Sequence, residues 1–487
     1  MYRHNQNQLE LENFELPFSG MLRSDNRWVK LAGIIPWGEF EADYVKSFKK
    51  SGQGPPAKSV RVALGALIIK ERLGTSDEET VEQIRENPYL QYFLGFKEYK
   101  DEEPFHPTMF VHFRKRISKE MVGKVNDAVH KKGRSKDDDE QPPANKGKLL
   151  VDATCTPADI TFPTDIRLLN KAREKTEQFI DTLHKPHKGK KKKPRTYRRT
   201  ARKDFLSAAK ARRLSKSKRR KLVRKQIGYV ERNLKTIKKL VKESSLTLLS
   251  RSQYKDLLVV SELLRQQKWM YNQRKQRVDD RIVSVCQPHV RPIKRGKARA
   301  STEFGAKISV SLVDGWCFLD HLDWNNYNES GDLPDQIKAY KDRFGFYPES
   351  VHADKIYRNR ANRKFCQKRG IRLSGPRLGR PSKDMSKQSE SRKQAFRDEL
   401  DRIPIEGKLG QAKRRFGLSR IMCKLARTSE TAIAITFLVM NLEKWLKVFL
   451  FVFSNWVISS FWESIYRKIK AKLAINDSRI MQISAVK

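Results

Sequence analysis

Three acidic residues are the features of this sequence that point most directly to chemistry. Asp152 follows residues 149–151, a short apolar run of the kind that forms a buried strand. Asp354 closes a similar run, and Glu406 lies in a segment where bases recur at regular intervals. A carboxylate at the centre of a sheet is costly to bury unless it is paired or binds a metal. The sequence therefore offers three candidate metal ligands, with a turn-capping role as the alternative for Asp152.

The bases around Glu406 share its face if the segment is helical. With about 100° of rotation per residue, Arg402 and Lys413 project from the same side as Glu406. An acid with cations above and below it suits a metal ligand that lies beside a phosphate chain. The alternative is a solvated helix, in which such ion pairs contribute about 0.2–0.5 kcal/mol each.

The order of the predicted elements would bring the three acids together. The strand before Asp152 is followed by two hairpin strands, a helix, the strand that ends at Asp354, a helix, a strand, and the helix with Glu406. This β-β-β-α-β-α-β-α order predicts an α/β fold with a mixed sheet and helices on its faces. If the first and fourth strands are neighbours, Asp152 and Asp354 meet, and the last helix supplies Glu406.

Three clustered carboxylates repel one another, by about 3 kcal/mol for each pair at about 5 Å and an effective dielectric constant near 20. Hard divalent cations relieve this repulsion. Oxygen ligands without His or Cys favour Mg²⁺ or Mn²⁺ over zinc. Two such ions about 4 Å apart assist in-line displacement at phosphorus, so these acids predict phosphodiester cleavage or transfer.

The charge of the chain favours a nucleic-acid substrate. The 487 residues include 103 Lys and Arg against 56 Asp and Glu, a formal net charge of +47. Counterion release drives such a chain towards nucleic acid, and an acidic membrane surface is the weaker alternative. Isolated cysteines argue against disulfides and zinc, and the absence of a visible signal peptide predicts an intracellular location. Charges interrupt the apolar residues 431–462, which favours buried or interface helices over a membrane span.

Composition divides the chain into five regions. They are a helical DNA-binding or dimerisation domain at 1–135, a linker at 136–147, a catalytic domain at 148–165 and 301–425, a large basic helical insertion between the first and second strands at 166–300, and C-terminal helices at 426–487.

Two basic runs within these regions are candidate DNA contacts. The first ends a predicted helix of the N-terminal domain, which fits a helix-turn-helix-like reader and a dimerisation bundle equally well. The second is a tetralysine in the insertion, interpreted as a contact to the DNA backbone, with a solvated loop as the alternative. The runs are Arg114, Lys115 and Arg116, and Lys190, Lys191, Lys192 and Lys193.

Eight short stretches carry a family resemblance: ALGALIIK at 63–70, ENPYLQ at 86–91, VDAT at 151–154, PAD at 157–159, EFGAK at 303–307, AD at 353–354, IEGK at 405–408 and KRRFGL at 413–418. Their identity and order over nearly the whole chain resemble the IS5 group of IS4-like bacterial insertion-sequence transposases of the DDE type. The resemblance implies a ribonuclease H-like fold in which the DDE triad binds two Mg²⁺ (or Mn²⁺) ions in each active site. The catalytic and metal-binding acids would be Asp152, Asp354 and Glu406.

The same resemblance implies a reaction and its partners. Activated water would cut the phosphodiester at the end of the element, and the 3′-OH released would attack target DNA without a covalent enzyme intermediate. The partners would be terminal inverted repeats and target DNA, with a homodimer or larger assembly in the synaptic complex. The expected location is the bacterial cytoplasm, with the nucleoid, and not a membrane.

The transposases in question share a signature, Tyr-x₂-Arg-x₃-Glu-x₆-Lys, that this chain matches in part. Arg402 and Lys413 match it and by resemblance contact DNA phosphate, whereas Glu399 stands at the Tyr position. Pro404 lacks a backbone N–H and is expected to begin the helix, which would leave Arg402 just outside it.

Three other functions each explain part of the sequence. A transposase-derived protein that binds DNA without cutting it is suggested by Glu399. A ribonuclease H-like nuclease without strand transfer would use the same acids. A structural protein that packs nucleic acid would explain the charge, but not the two acids at strands and the correctly spaced Glu406.

Overall fold

The computed structural model of the chain describes residues 17–48, 56–133, 145–294, 302–375 and 385–448. Most of the expected linker at 136–147, and residues 449–462 of the apolar region, lie outside these ranges. Contacts divide the chain into two compact units. The first comprises Met1–Pro142, Leu312–Phe318 and Ala434–Lys487, and the second comprises Pro143–Ser311 and Leu319–Ile433.

The N-terminal part of the first unit is helical, as predicted. Helix α3 begins after Ser59, whose hydroxyl accepts a hydrogen bond from the Val62 amide, and ends at Gly74 in the left-handed conformation. The hydroxyl of Ser76 caps α4 in the same way. The helices are α1 (Arg27–Ile34), α2 (Glu41–Val45), α3 (Val60–Leu73), α4 (Asp77–Glu86), α5 (Pro88–Phe93), α6 (Met109–Arg116) and α7 (Lys119–Lys132).

A six-stranded mixed sheet, most of which lies in the second unit, confirms the α/β class. Its strands are β1 (Lys148–Pro157), β2 (Arg291–Lys294), β3 (Thr302–Val313), β4 (Trp316–Asp323), β5 (Ser350–His352) and β6 (Arg372–Leu373). The strand order is β2-β3-β1-β5-β6, and β4 also pairs with β3. Strand β5 is parallel to both β1 and β6, whereas β2 is antiparallel to β3. The first and fourth strands expected from the sequence correspond to β1 and β5, and they are neighbours in the sheet, as predicted.

Strand β2 was not expected, because residues 291–299 were interpreted only as a basic exit from the insertion. Their first four residues instead pair with the start of β3, with Arg291 opposite Gly305. Backbone hydrogen bonds between the strands outweigh the unfavourable strand propensity of Pro and Lys at this edge.

The insertion between β1 and β2 is helical, as predicted, and has an apolar core of its own. Its helices are α8 (Asp165–His184), α9 (Arg198–Ala209), α10 (Lys216–Glu243) and α11 (Arg251–Asn272). Leu169, Val230 and Val260 are fully buried where α8, α10 and α11 meet. Helix α9 was missed, since its basic sequence shows little apolar periodicity.

Three helices accompany the later strands. They are α12 (Leu333–Phe344), α13 (Arg360–Gln367) and α14 (Met385–Arg415). Pro404 lies inside α14, so the expectation that it begins the helix is wrong. The absent N–H removes one helical hydrogen bond, but the buried face of α14 holds the helix together across that position.

A final helix, α15, is described over residues 426–448. Within the first unit, its Asn441 donates to Asn126 at 2.8 Å and accepts from the Cys317 amide at 2.9 Å. Asn126 also donates to the Cys317 carbonyl at 3.1 Å. Because these groups are buried, each hydrogen bond avoids the cost of an unpaired polar group.

A half-buried acid in this unit, Glu71, predicts a measurable pH dependence of stability. Glu71 accepts a hydrogen bond of 2.5 Å from the Thr436 hydroxyl, and burial raises the pKa of Glu71 to about 7. Since the folded pKa lies above the unfolded one, this carboxyl stabilises the fold below about pH 4.5 and loses that contribution as the pH rises through 7. We expect the free energy of unfolding of Glu71→Gln, measured relative to that of the parent, to be higher at pH 8 than at pH 5. The change in this relative value between the two pH values should be roughly 3 kcal/mol. Urea unfolding at both pH values tests this, and an equal effect at the two would contradict it.

Candidate active site

The parallel pairing of β1 and β5 places two acids side by side. The last pair in register is Leu150 with His352, and Asp152 and Asp354 each lie two residues further on. Strand β1 continues to Pro157, so Asp152 lies inside the strand and not, as expected, just after its end. Its carboxylate accepts a hydrogen bond of 2.8 Å from the Ala153 amide.

Asp354 lies at the open end of β5. Its side chain caps a short 3₁₀ turn, Lys355–Tyr357, by accepting from the Lys355 amide at 2.6 Å. The side chain is 58% exposed. A hydrated cation can therefore reach it from solvent.

Helix α14 brings Glu406 to the same place. One side of the helix packs through apolar residues against β1 and β5, and Glu406 lies at the flank of that side with 53% of its side chain exposed. The buried apolar residues described in α14 are Ile405, Leu409 and Ala412. Their spacing of three to four residues fixes the rotation of the helix.

Arg402 lies between two of the acids. Its Nη1 atom is 3.2 Å from Oδ1 of Asp354, and its Nη2 donates to Oε1 of Glu406 at 2.6 Å. Because α14 runs through Pro404, Arg402 is one helical turn before Glu406, as the spacing predicts. The guanidinium thus serves as a shared counter-ion.

The charges of Asp354, Glu406 and Arg402 also influence the pKa of Asp152. Burial raises the pKa of Asp152, and the nearby charges of Glu406 and Asp354 raise it further, while Arg402 acts in the opposite direction. Partial burial acts to lower the pKa of Arg402, but its hydrogen bond to Glu406 and the charge of Asp354 raise it on balance. The sequence predicted a direct cluster of acids. The structure places the Arg402 guanidinium between Asp354 and Glu406, and all three charges act on Asp152.

A second group of titratable side chains, which sequence reasoning missed, lies where α14 contacts the sheet. His352, Asp398 and Asp401 have ligand atoms within 4.8 Å of one another, a geometry that could hold a metal. Among the residues that the structure describes, no other group of three or more His, Cys, Asp or Glu side chains has this geometry. Asp398 is 5% exposed and already accepts from Arg372 at 2.8 Å and from the Gly375 amide at 3.1 Å.

These bonds make Asp398 and Asp401 anchors of the helix. Although burial acts to raise the pKa of Asp398, the hydrogen bond from Arg372 and its other donors lower it. Asp401 accepts from Lys148 of β1 at 2.8 Å. Arg372 and Lys148 therefore occupy these carboxylates and tie α14 to β6 and β1. The i,i+3 spacing of the two acids just before Arg402 was the available signal in the sequence.

A buried tyrosine near the acids was also missed. Tyr357 is 1% exposed, and its hydroxyl has no hydrogen-bond partner among the described residues. Burial raises the pKa of Tyr357, and the charge of Asp152 contributes to this. Its position, three residues after Asp354, was visible in the sequence, but its burial was not.

The remaining candidate DNA contacts fall in different settings. Lys413 is half-buried in the last turn of α14, two turns beyond Glu406.

In α6, Arg114 is 9% exposed and its two terminal nitrogens donate to Asp77 at 3.0 and 2.5 Å. Arg116 lies over the Phe48 ring at 4.3 Å. Since Arg114 is committed to an internal ion pair, Lys115 is the exposed base of this run.

The tetralysine is exposed throughout and lies in the loop between α8 and α9. Lys191 pairs with Glu243 at 2.9 Å, and Lys193 pairs with Asp181 at 2.6 Å. Lys190 and Lys192 make no ion pair with the residues that the structure describes. Two of the four charges are therefore available to a polyanion.

Two parts of the chain match known protein families. Residues 351–443 match a family described as Transposase DDE domain, and residues 17–116 match one described as Transposase domain (DUF772). A relative from Rhizobium meliloti, named as uncharacterized protein ORF8 in the nfe locus, is 34% identical over 148 residues. That alignment covers 30% of this chain and 68% of the relative. No solved structure matches the chain.

The DDE domain is that of a nucleic-acid-cleaving enzyme that binds DNA and uses a divalent metal. The chain belongs to the DDE-type insertion-sequence transposases. Across the residues that the structure describes, no helix has the length and apolarity needed to span a membrane.

Proposed function

We propose that this transposase binds the ends of an insertion sequence, cleaves phosphodiester bonds there with two Mg²⁺ ions, and transfers the 3′-OH ends to target DNA. The observation that carries the proposal is the shared counter-ion. Asp354 and Glu406 hold one guanidinium between them, and Asp152 lies within electrostatic range of all three groups. Carboxylates that already share one singly charged guanidinium are suited to bind divalent cations.

The strand order supports a ribonuclease H-like arrangement of the catalytic domain. Without the short edge strand β2, the order is β4-β3-β1-β5-β6, with Asp152 in β1, Asp354 just after β5 and Glu406 on the helix that packs against these two strands. The catalytic domain in this proposal comprises residues 148–165 and 301–425, with the helical insertion at 166–300 between its first two strands.

The donor set fits Mg²⁺. Asp152, Asp354 and Glu406 offer only carboxylate oxygens, the ligand type that this ion prefers. When bound, Mg²⁺ lowers the pKa of an attacking water and neutralises charge on the phosphate. The protein's own share is positional, because β1 and β5 fix the two Asp residues in register, and the Asp398 and Asp401 bonds fix α14 and with it Glu406.

Other regions would supply the DNA contacts. Arg402 and Lys413 would contact backbone phosphate beside the acids, and the N-terminal helices, with Lys115, would bind the terminal inverted repeats. Because two ends must be held together, the active assembly would be at least a homodimer. Its place of action would be the bacterial cytoplasm, on the nucleoid.

The loop lysines predict a change in salt dependence. We expect replacing Lys190 and Lys192 by Gln to weaken binding to random-sequence DNA and to reduce the slope of log affinity against log salt by about 1.8, or about 0.9 for each lost phosphate contact. Replacing Lys191 and Lys193, which are already paired, is the matched control and should change the slope less. Fluorescence anisotropy over a salt series measures both, and an unchanged slope in the first variant would contradict the assignment.

The proposed reaction has a direct test. Purified protein, Mg²⁺, a labelled duplex from the DNA that flanks the gene and a supercoiled target plasmid are incubated together. Transposition predicts a nick or break that leaves a 3′-OH, followed by label joined to the plasmid. Cleavage without joining would support the nuclease, and binding without cleavage would support the non-cutting relative.

A further inference from the structure

Arg402 occupies the position from which a metal ion would contact the same oxygens. One of its terminal nitrogens is 3.2 Å from Asp354, and the other donates to Glu406 at 2.6 Å. The Arg402 side chain is 29% exposed. The ion pair with Asp354 and the hydrogen bond to Glu406 place the positive charge of Arg402 beside both carboxylates, so the guanidinium and a metal ion compete for the same negative charge.

Charge explains why the guanidinium is held there. Three carboxylates within electrostatic range of one another carry up to three negative charges, and Arg402 supplies one positive charge. Charge-assisted bonds of this kind are short and strong. A divalent cation that binds Asp354 and Glu406 directly would be repelled by the guanidinium held between them.

We propose that Arg402 is an exchangeable counter-ion, which neutralises Asp354 and Glu406 in the free protein and must be displaced when a divalent cation binds. The inference rests on the proposed function, because it takes these acids to be the metal ligands. The displaced guanidinium keeps a planar fork that matches a phosphate group. DNA phosphate therefore draws Arg402 away from the acids, and DNA binding and metal binding strengthen each other by the same factor.

The test is a titration with Mn²⁺ alone, followed by electron paramagnetic resonance of the free ion, on the full chain. We expect Arg402→Gln to bind Mn²⁺ about tenfold more tightly than the parent, since one competing cation is gone. Arg402→Lys keeps the charge but loses the two-pronged geometry, and should fall between the two. Arg397→Gln, an exposed base on the same helix, is the matched control and should bind as the parent does.

A second arm adds a short duplex, with the signal from duplex and Mn²⁺ alone subtracted. The duplex should tighten Mn²⁺ binding several-fold in the parent and much less in Arg402→Gln. If Arg402→Gln and Arg402→Lys bind Mn²⁺ no more tightly than the parent, the counter-ion role is wrong. If Asp354→Asn and Glu406→Gln leave Mn²⁺ binding unchanged, the acids are not the metal site and the proposed function fails instead.

Discussion

Asp152→Asn, Asp354→Asn and Glu406→Gln should each reduce cleavage of an end fragment by about 10³-fold or more. A bound divalent ion contributes several kcal/mol to stabilising the transition state, and about 1.4 kcal/mol corresponds to a tenfold change in rate. Removing one ligand charge lowers the occupancy of the metal and disturbs its geometry. The substitutions preserve side-chain size, so that the sheet and α14 remain in place.

Binding of the fragment should be unaffected or slightly stronger, because each substitution removes a negative charge close to DNA phosphate. Glu399→Gln is the matched control: Glu399 is an exposed acid on the same helix, and its replacement should leave cleavage unchanged. Single-turnover cleavage and an electrophoretic mobility shift measure the two properties separately. Cleavage at the parental rate by any one of the three variants would remove that residue from the site.

Gly305→Ala should destabilise the second unit by about 3 kcal/mol or more. A Cβ atom at Gly305 would lie 2.0 Å from the Thr156 carbonyl oxygen and 2.8 Å from the Pro157 Cα. Both atoms belong to the backbone of β1, so the clash can be relieved only by moving a strand. Overpacking of a well-packed core costs about 1–3 kcal/mol, and occasionally more, where side chains can adjust, and a backbone clash exceeds that range.

The displaced strand is the one that carries Asp152, so cleavage should fall together with stability. Gly228→Ala is the control. Gly228 lies within α10, and a Cβ there would meet no described atom within 4 Å. That substitution should stabilise the fold by about 0.5–1 kcal/mol. Urea unfolding compares the two, and a Gly305→Ala protein as stable as the parent would show that β1 and β3 are not packed so closely.

The parts of the site that depend on local periodicity were predictable from the sequence. The alternation of apolar runs and helical stretches predicted β1, β5 and α14, and their order predicted that β1 and β5 pair. Helical spacing alone predicted that Arg402 and Glu406 lie on one face, and the ion pair between them confirms it. Such features depend on residues near one another in the chain.

The parts that depend on distant partners were not predictable. Arg114 appeared to be a surface base, and its pairing with Asp77 in another helix removes it from the surface. Likewise, Asp398 gave no sign of its bond to Arg372. Pro404 is a helix breaker by local propensity, but packing of α14 on the sheet overrides that propensity. Single-sequence reasoning has no access to these tertiary contacts.

Direct contact between the acids and the metal is the central claim, and a change of metal preference tests it most directly. Asp354→Cys replaces a carboxylate by a thiolate, which binds the softer Mn²⁺ better than Mg²⁺. The variant should fail to cleave the end fragment in Mg²⁺ and regain a substantial part of its activity in Mn²⁺, while Asp354→Ala remains inactive in both. If Asp354→Cys is equally inactive in the two metals, or equally active in them, Asp354 is not a ligand of the catalytic ion.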